Sequence, residues 1–340
     1  MIACLCVQAG LGCAMALFML IFRDYPAAVP ESALAGLSQA VGGDGTSELD
    51  GPSFWARAAI GSLNRHAAGS ADPALLHGAI SLLRFAVQGS EPGTGVYALY
   101  LSDLVRALRH VDRWAAAPGL ADEVMRYGRR SASAAKFEDP DSVLGVGVLV
   151  GILVYVNAAT GEPRFLDEAI EVGTRLTDDP LVGGLEAEYQ LTLFPPTATA
   201  LHARYGDLGA LADLMRAVDL ERRLSDLAVH EPETLAESLS VLGVSLTDLF
   251  MRTEDEEHIR EAVENHRRAL TSLRRGSAVH AETSYLLACS LSARFRVTHD
   301  RRHLDQAIEA AVDGAVILGD LPIGTARRHA LAALLAPPAL

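Results

Sequence analysis

Apolar positions recur along the chain at a nearly fixed interval, and the clearest copy is the stretch from Phe165 to Ile170, Phe-Leu-Asp-Glu-Ala-Ile. In each copy an apolar residue stands three positions before an anchor residue and another stands one position after it, with mostly polar residues between them. Apolar residues at i, i+3 and i+4 mark one buried face of an amphipathic helix. The six anchors, spaced 45, 45, 45, 48 and 45 residues apart, are Ala79, Val124, Ala169, Leu214, Ala262 and Ala307.

A repeat of this length is typical of helical solenoids, in which each repeat buries its apolar face against its neighbours. Strand signals are scarce, so we predict an all-α solenoid of at least five antiparallel helix pairs with a period of about 45 residues. The first helices of the pairs are predicted at 52–67, 93–110, 140–157, 185–205, 232–251 and 279–296, and the second helices at 73–88, 119–134, 163–177, 208–226, 256–273 and 301–317.

Two local signals refine these helices. Pro195-Pro196 falls inside the fourth first helix and predicts a kink or a split there, because proline lacks an N–H and clashes with the preceding turn. The second helices are predicted to begin at an acid or a proline, which either caps free N–H groups or fits the first helical position. These starts are Asp72-Pro73, Pro118, Glu162-Pro163, Asp207, Asp255 and Asp300.

The two ends of the chain do not follow the repeat. Residues 1–22 carry no charged side chain and are long enough to cross a membrane. They are either a membrane anchor or the first helix of a repeat that precedes Ala79, and fractionating the full chain beside a chain without them separates the two. Residues 23–50 form a loop-rich join, 51–320 the repeat array, and 321–340 a C-terminal cap or tail.

The overall charge excludes one class of partner. The chain has a formal net charge of -14, whereas nucleic-acid binding needs a concentrated basic surface. Three of the four cysteines lie in the first thirteen residues and form no disulfide framework. We therefore predict no nucleic-acid partner and a reducing, cytoplasmic location, with membrane attachment through residues 1–22 as the open alternative.

Candidate catalytic chemistry is sparse. His299 and His303 have the i, i+4 spacing of a metal-binding helix, but no third ligand is identifiable and Asp300 between them fits a helix N-cap. No phosphate-binding loop, dinucleotide fingerprint or nucleophile elbow occurs. The sequence therefore predicts no catalytic, cofactor-binding or metal-ligating residue, and no cofactor.

Three stretches share a further pattern across the loop that joins the two helices of a pair. They are Ala203-Arg204-Tyr205-Gly206-Asp207 with Leu211, Leu291 to Phe295 with His303 to Ile308, and Leu166 to Ile170. This pattern resembles the helical pairs of actinomycete tetratricopeptide-like (TPR-like) proteins, over about residues 55 to 318. Such arrays often precede a CHAT domain, a caspase-like peptidase module. The resemblance implies a TPR-like fold and a protein-interaction or regulatory role.

One departure limits this resemblance. The CHAT domain itself is absent from the chain, and His280 and Cys289, nine residues apart in one predicted helix, do not form a caspase-like motif. Peptidase activity is therefore not implied, although a CHAT-type peptidase or another regulatory protein fits as a partner.

Two function classes follow from the sequence. The first is a scaffold that binds a peptide or protein partner in a concave groove. The second is an enzyme of unrecognised type that uses an apolar cavity inside the helical array. Exposed aromatic and arginine side chains along an open concave face would favour the scaffold, whereas a closed cavity with two or three buried titratable groups would favour the enzyme.

Overall fold

A computed structural model describes residues 73–111 and 118–317, together with residue 115 and a few positions between 52 and 60. Every regular element in these residues is a helix, so the predicted all-α repeat fold is confirmed for the described part. The predictions for residues 1–22, 23–50 and 321–340 lie outside it. The helices are α1 Pro73–Gln88, α2 Gly95–Leu108, α3 Pro118–Ala134, α4 Pro140–Thr160, α5 Pro163–Asp178, α6 Pro180–Gly183, α7 Ala187–Leu193, α8 Pro195–Leu208, α9 Leu211–Leu227, α10 Pro232–Thr253, α11 Glu256–Ser272, α12 Ala278–Thr298 and α13 Arg301–Ile317.

The described residues divide into two compact units, one that ends at Val182 and one that begins at Gly183. In the first unit, α4 packs against α2, α3 and α5. In the second unit, three consecutive pairs, α8 with α9, α10 with α11 and α12 with α13, are each joined by a short loop and are therefore antiparallel. Each pair also packs against the next.

The anchor residues lie inside this packing. Ala262 belongs to a cluster with Leu246, Phe250 and Ile259, in which a small side chain lets two helices approach closely. The anchors, all with no exposed surface, are Ala79, Val124, Ala169, Leu214, Ala262 and Ala307.

The prolines and acids at the predicted helix starts have mixed outcomes. Asp255 and Asp300 cap their helices, each accepting a bond at 3.0 Å from the backbone N–H two residues on. The prediction for Asp207 is wrong, because α8 continues through that residue and ends in a left-handed turn at Gly209, φ 67°. Glycine adopts this conformation without steric cost, so the end of α8 is set by Gly209.

The proline pair splits the fourth first helix, as predicted. The helix α7 ends at Leu193, Phe194 lies between, and α8 begins with Pro195 at its first position. A proline there needs no N–H donor, whereas the same ring inside a continuous helix would remove a hydrogen bond. The second unit therefore begins with a short extra helix that the regular pairs lack.

Successive second helices of a unit are tied by arginine pairs 39 residues apart. In each pair both Nε and Nη2 of the guanidinium donate to the two carboxylate oxygens, at 2.6 to 3.0 Å. The pairs are Arg84 with Glu123, Arg129 with Glu168, and Arg222 with Glu261.

Two described helices, α4 and α10, are long and apolar enough to cross a membrane by length and composition alone. Half of the most apolar window of each is buried inside the protein, a property shared with core helices.

Candidate functional site

The repeat register singles out one buried residue in α9. Seven positions after each anchor the chain places a small or apolar residue, with one exception. The five regular members are Ala86, Ser131, Leu176, Ala269 and Gly314, all buried. In the fourth repeat this position is Glu221, whose exposed fraction is 2%. An ionisable side chain here costs desolvation that the other repeats avoid, so Glu221 marks a specialised place in the array.

A chain of polar contacts leads from Glu221 to the protein surface. Ser245 Oγ of α10 donates to Glu221 Oε1 at 3.0 Å, and His202 Nδ1 of α8 lies 2.9 Å from the same Oγ. On the other side of the imidazole, His202 Nε2 lies 3.1 Å from Asp248 Oδ2. Because Ser245 donates to Glu221, its oxygen is free to accept from His202. Both ring nitrogens then donate, which is the pattern of an imidazolium.

The electrostatics agree with this reading. The hydrogen bond to Asp248 raises the pKa of His202, against the opposing effect of burial. Burial also raises the pKa of Glu221 to about 7, and the hydrogen bond from Ser245 and the charge of His202 oppose the rise only in part. The contact with Asp248 therefore favours the charged form of His202, and the inner end of the group is a carboxyl that gains and loses a proton near neutral pH.

Glu221 also forms part of the wall of a cavity of about 200 Å³. Its second carboxyl oxygen, Oε2, is buried and has no hydrogen-bond partner among the described residues. The remaining lining residues come from α7, α8, α9 and α10 and are Leu191, Pro195, Ala198, Thr199, Leu224, Thr234, Glu237, Ser238 and Val241. A buried polar atom without a partner beside a cavity is the arrangement expected of a ligand contact.

The wall on the side of α7 is held in place by Arg223. Its Nη2 donates to Gln190 Oε1 at 2.6 Å and to the Gly183 carbonyl at 3.3 Å, and its guanidinium lies 4.6 Å from the centre of the Phe194 ring. Gln190 in turn donates to the Leu185 carbonyl at 2.6 Å. The segment that precedes the proline split is thus fixed against α9, so the cavity has a structured wall on this side.

The order Asp248, His202, Ser245 matches the order of groups in a serine hydrolase triad. Ser245, however, has no exposed surface and donates its proton to Glu221. A nucleophile must reach the substrate, and the side chain beside the cavity is Glu221. The arrangement therefore suits a relay that sets the charge of Glu221 better than it suits attack by Ser245.

The residues singled out by the sequence lie elsewhere. The six anchors are packing residues. His299 is the left-handed C-cap of α12, φ 51°, and His303 Nδ1 lies 2.9 Å from Thr298 Oγ1. No group of three or more possible metal ligands occurs among the described residues. Apolar spacing does not indicate His202, Glu221 or Ser245 as site residues. The one sequence signal for them is a charged residue, Glu221, at a register position where the other repeats have a small or apolar residue.

No protein-family model matches the chain, and no curated protein matches it. Among solved structures it is similar to BtubC (BKLC) from P. vanneervenii, with 17% identity, a TM-score of 0.41, and 82% of this chain and 95% of that chain covered. It is also similar to the S. pombe nuclear import adaptor Nro1, with 13% identity, a TM-score of 0.44, and coverage of 86% and 98%. A circular tandem repeat protein has 17% identity, a TM-score of 0.33, and coverage of 95% and 90%. Similarity at these values gives no information on function.

Proposed function

We propose that this chain is a binding scaffold that holds a peptide or protein partner and does not turn over a substrate by itself. The observation that supports the proposal is that the exposed large apolar side chains of the second unit are concentrated on the helices α10 and α12. The first helices α10 and α12 expose five, whereas the described second helices of this unit expose only Met215. The five are Val241, Met251, Val279, Tyr285 and Val297. Exposed apolar side chains on one class of helix are typical of interaction surfaces.

Charge indicates the kind of partner. The chain carries a net charge of -14, and both Glu221 and Glu237 line the cavity next to Val241. A basic segment of the partner would meet the exposed carboxylate of Glu237 here. Because much of this attraction involves exposed charges, binding should weaken as the salt concentration rises above physiological strength.

The finer identity of the partner rests on sequence resemblance alone. The helical pairs resemble those of TPR-like proteins that precede CHAT domains, so we propose a regulatory protein, such as a CHAT-type peptidase, as the partner. A cytoplasmic location, with or without attachment through residues 1–22, belongs to the same proposal. Testing whether a purified CHAT-type peptidase from the same host binds the chain in solution would check the partner directly, and absence of binding would remove it.

An enzyme is the second candidate, and one observation favours it. Glu221 lines a cavity and has a pKa of about 7, which is suited to general acid–base catalysis at neutral pH. In such an enzyme Glu221 would exchange a proton with a small substrate, while His202 and Ser245 would set its charge.

A peptide-selection experiment distinguishes the two candidates. Random peptides would be selected on the purified full chain, and bound peptides mapped by amide hydrogen exchange. If the chain is a scaffold, we expect the selected peptides to be basic and to protect backbone amides of α10 and α12 from exchange. The peptides should be released uncleaved. Failure to enrich any peptide, together with turnover of a small molecule that Glu221→Gln abolishes in a folded protein, would replace the scaffold with the enzyme.

A further inference from the structure

We propose that the cavity beside Glu221 binds a primary ammonium group carried on an unbranched alkyl chain. This chemistry is shared by the lysine side chain of a protein partner and by a small free amine. The inference deepens the proposed function and rests on it for the source of the ammonium group. It is based on two observations: only one of the two carboxyl oxygens of Glu221 has a hydrogen-bond donor among the described residues, and the walls of the cavity are mostly apolar.

The carboxyl offers one oxygen to a ligand. Oε1 accepts the hydrogen bond from Ser245, whereas Oε2 is buried without a partner among the described residues. A guanidinium binds best to both oxygens of a carboxylate at once, while an ammonium binds one oxygen as a point charge. The free oxygen therefore favours ammonium over guanidinium.

The walls of the cavity suit the rest of such a ligand. Leu191, Ala198 and Leu224 offer apolar surface for an alkyl chain, which buries its methylene groups while the charged end finds a polar partner. The hydroxyls of Thr199 and Thr234 donate to Pro195 and Glu231, so both oxygens can still accept from the remaining N–H groups of an ammonium. None of the lining residues in the described structure is basic, which disfavours an anionic ligand.

The size of the cavity limits the ligand to a single chain. Its volume of about 200 Å³ is below the roughly 300 to 1,000 Å³ that is usual for drug-sized molecules. One lysine side chain or one small alkylamine fills a site of this size, whereas a folded element or a nucleotide does not enter. The cavity is therefore suited to an anchoring contact within a larger interface or to a free amine.

Binding should depend on pH through the charge of Glu221. The groups that face this carboxyl are His202 from α8 and Asp248 from α10, with Glu237 of α10 at the cavity wall. An alkylammonium stays protonated until about pH 10, whereas Glu221, with a pKa of about 7, is mostly neutral in mild acid. Affinity should therefore rise with pH through neutrality and level off above it.

The test is isothermal titration calorimetry of the full chain with two probes, n-butylamine and an acetylated, amidated peptide with one lysine between glycines. We expect the wild-type protein to bind both, with an affinity roughly tenfold lower at about pH 6 than at about pH 8, as a pKa near 7 requires. Glu221→Gln should lose at least roughly tenfold in affinity at the higher pH. Glu264→Gln, which removes an exposed carboxylate of α11 outside the cavity, is the matched control and should bind as the wild type does.

The possible outcomes distinguish a failure of the ammonium site from a failure of the scaffold function. Equal binding by Glu221→Gln and wild type, or binding of neither probe at either pH, overturns the inference, and enriched peptides from the selection experiment would then still support the scaffold. Glu221-dependent binding of n-butylamine without the lysine peptide supports the inference and counts against the scaffold. If Glu221→Gln fails to fold by circular dichroism, Glu221→Ala replaces it, since alanine occupies the equivalent position at Ala86 and Ala269.

Discussion

Among the described residues of the second unit, the two least exposed acidic or histidine side chains are Glu221 and His266, and only Glu221 has the features of a binding site. Glu221 occupies the position seven residues after its anchor, and His266 the position four residues after the next anchor. The other repeats place uncharged residues at this second position, and His266 has an exposed fraction of only 1%. By register and burial alone, the two residues are equivalent exceptions.

Their surroundings are different. Glu221 has Ser245 as a hydrogen-bond donor and lines a cavity. His266 instead packs against the backbone of α10, where a Cβ added to Gly243 would lie 2.4 Å from the imidazole Cε1. Neither of its ring nitrogens has a hydrogen-bond partner among the described residues. Burial lowers the pKa of His266 to about 4, so the ring is a neutral packing element at physiological pH.

The contrast shows that a buried titratable group is weak evidence for a site by itself. A shifted pKa arises wherever burial removes water. What distinguishes Glu221 is a free carboxyl oxygen, a partner that holds the other oxygen, and space for a ligand.

Placing a glutamate at the equivalent position of the next repeat should destabilise the protein severely. Ala269 is the register equivalent of Glu221 and packs against Ala236 and Leu239. In Ala269→Glu the carboxylate would have no donor comparable to Ser245, so we expect the free energy of unfolding to fall by about 4 kcal/mol at neutral pH. Urea denaturation measures the loss, and Ala269→Gln controls for size. An unchanged midpoint for Ala269→Glu would mean that the surroundings of Glu221 are not special.

The two ionisable groups should affect stability with opposite signs as pH changes. The unfolded chain binds a proton at His266 below about pH 6.5, whereas the folded chain does so only near 4. Stability is therefore lost as pH falls through this window, by on the order of 3 kcal/mol. Glu221 is raised above its unfolded pKa, so its contribution is present in acid and is lost as pH rises from about 4.5 to about 7.

Single variants separate these contributions. His266→Leu should remove the loss of stability in acid, and Glu221→Gln should remove the loss toward neutral pH. The measurement is the urea midpoint across the acid range for each variant and for the wild type. Parallel curves for the wild type and His266→Leu would contradict the burial of His266.

Filling the space above Gly243 should destabilise the protein moderately. A methyl group at this position meets the ring of His266, so Gly243→Ala should cost about 2 kcal/mol through overpacking. Removing the ring in the double variant Gly243→Ala with His266→Ala should recover part of that cost. Thermal unfolding of the wild type, the two single variants and the double variant gives the coupling free energy between the two residues. Additive effects would mean that the two residues are not in contact.

The partly exposed arginine pair of Arg222 with Glu261 should contribute least. Arg222 is about half exposed, with a side-chain exposure of 43%, and such pairs contribute roughly 0.2 to 1 kcal/mol. Arg222→Met should lower the free energy of unfolding by about 0.5 kcal/mol, and by less at high salt. A decrease in the free energy of unfolding several times larger than this would show that these pairs contribute strongly to the packing of one repeat on the next.

Sequence reasoning reached the packing more easily than the site. The anchors and the split at Pro195 were predictable because apolar spacing and proline geometry act locally. The end of α8 was misplaced because Gly209 outweighs the capping tendency of Asp207. The contacts of Ser245 with His202, 43 residues away, and with Glu221, 24 residues away, could not be predicted. At such separations along the chain, side-chain partners depend on how α8, α9 and α10 stack.

The most direct test of the central claim is the titration of the Glu221 carboxyl by ¹³C NMR in the full chain, alone and with saturating n-butylamine. The resonance is assigned with Glu221→Gln. We expect a pKa of about 7 in the free protein and a pKa lower by about one or more when the amine is bound, because the bound ammonium favours the ionised carboxylate. A pKa near the ordinary glutamate value in the free protein, or one that the amine does not change, would contradict this expectation.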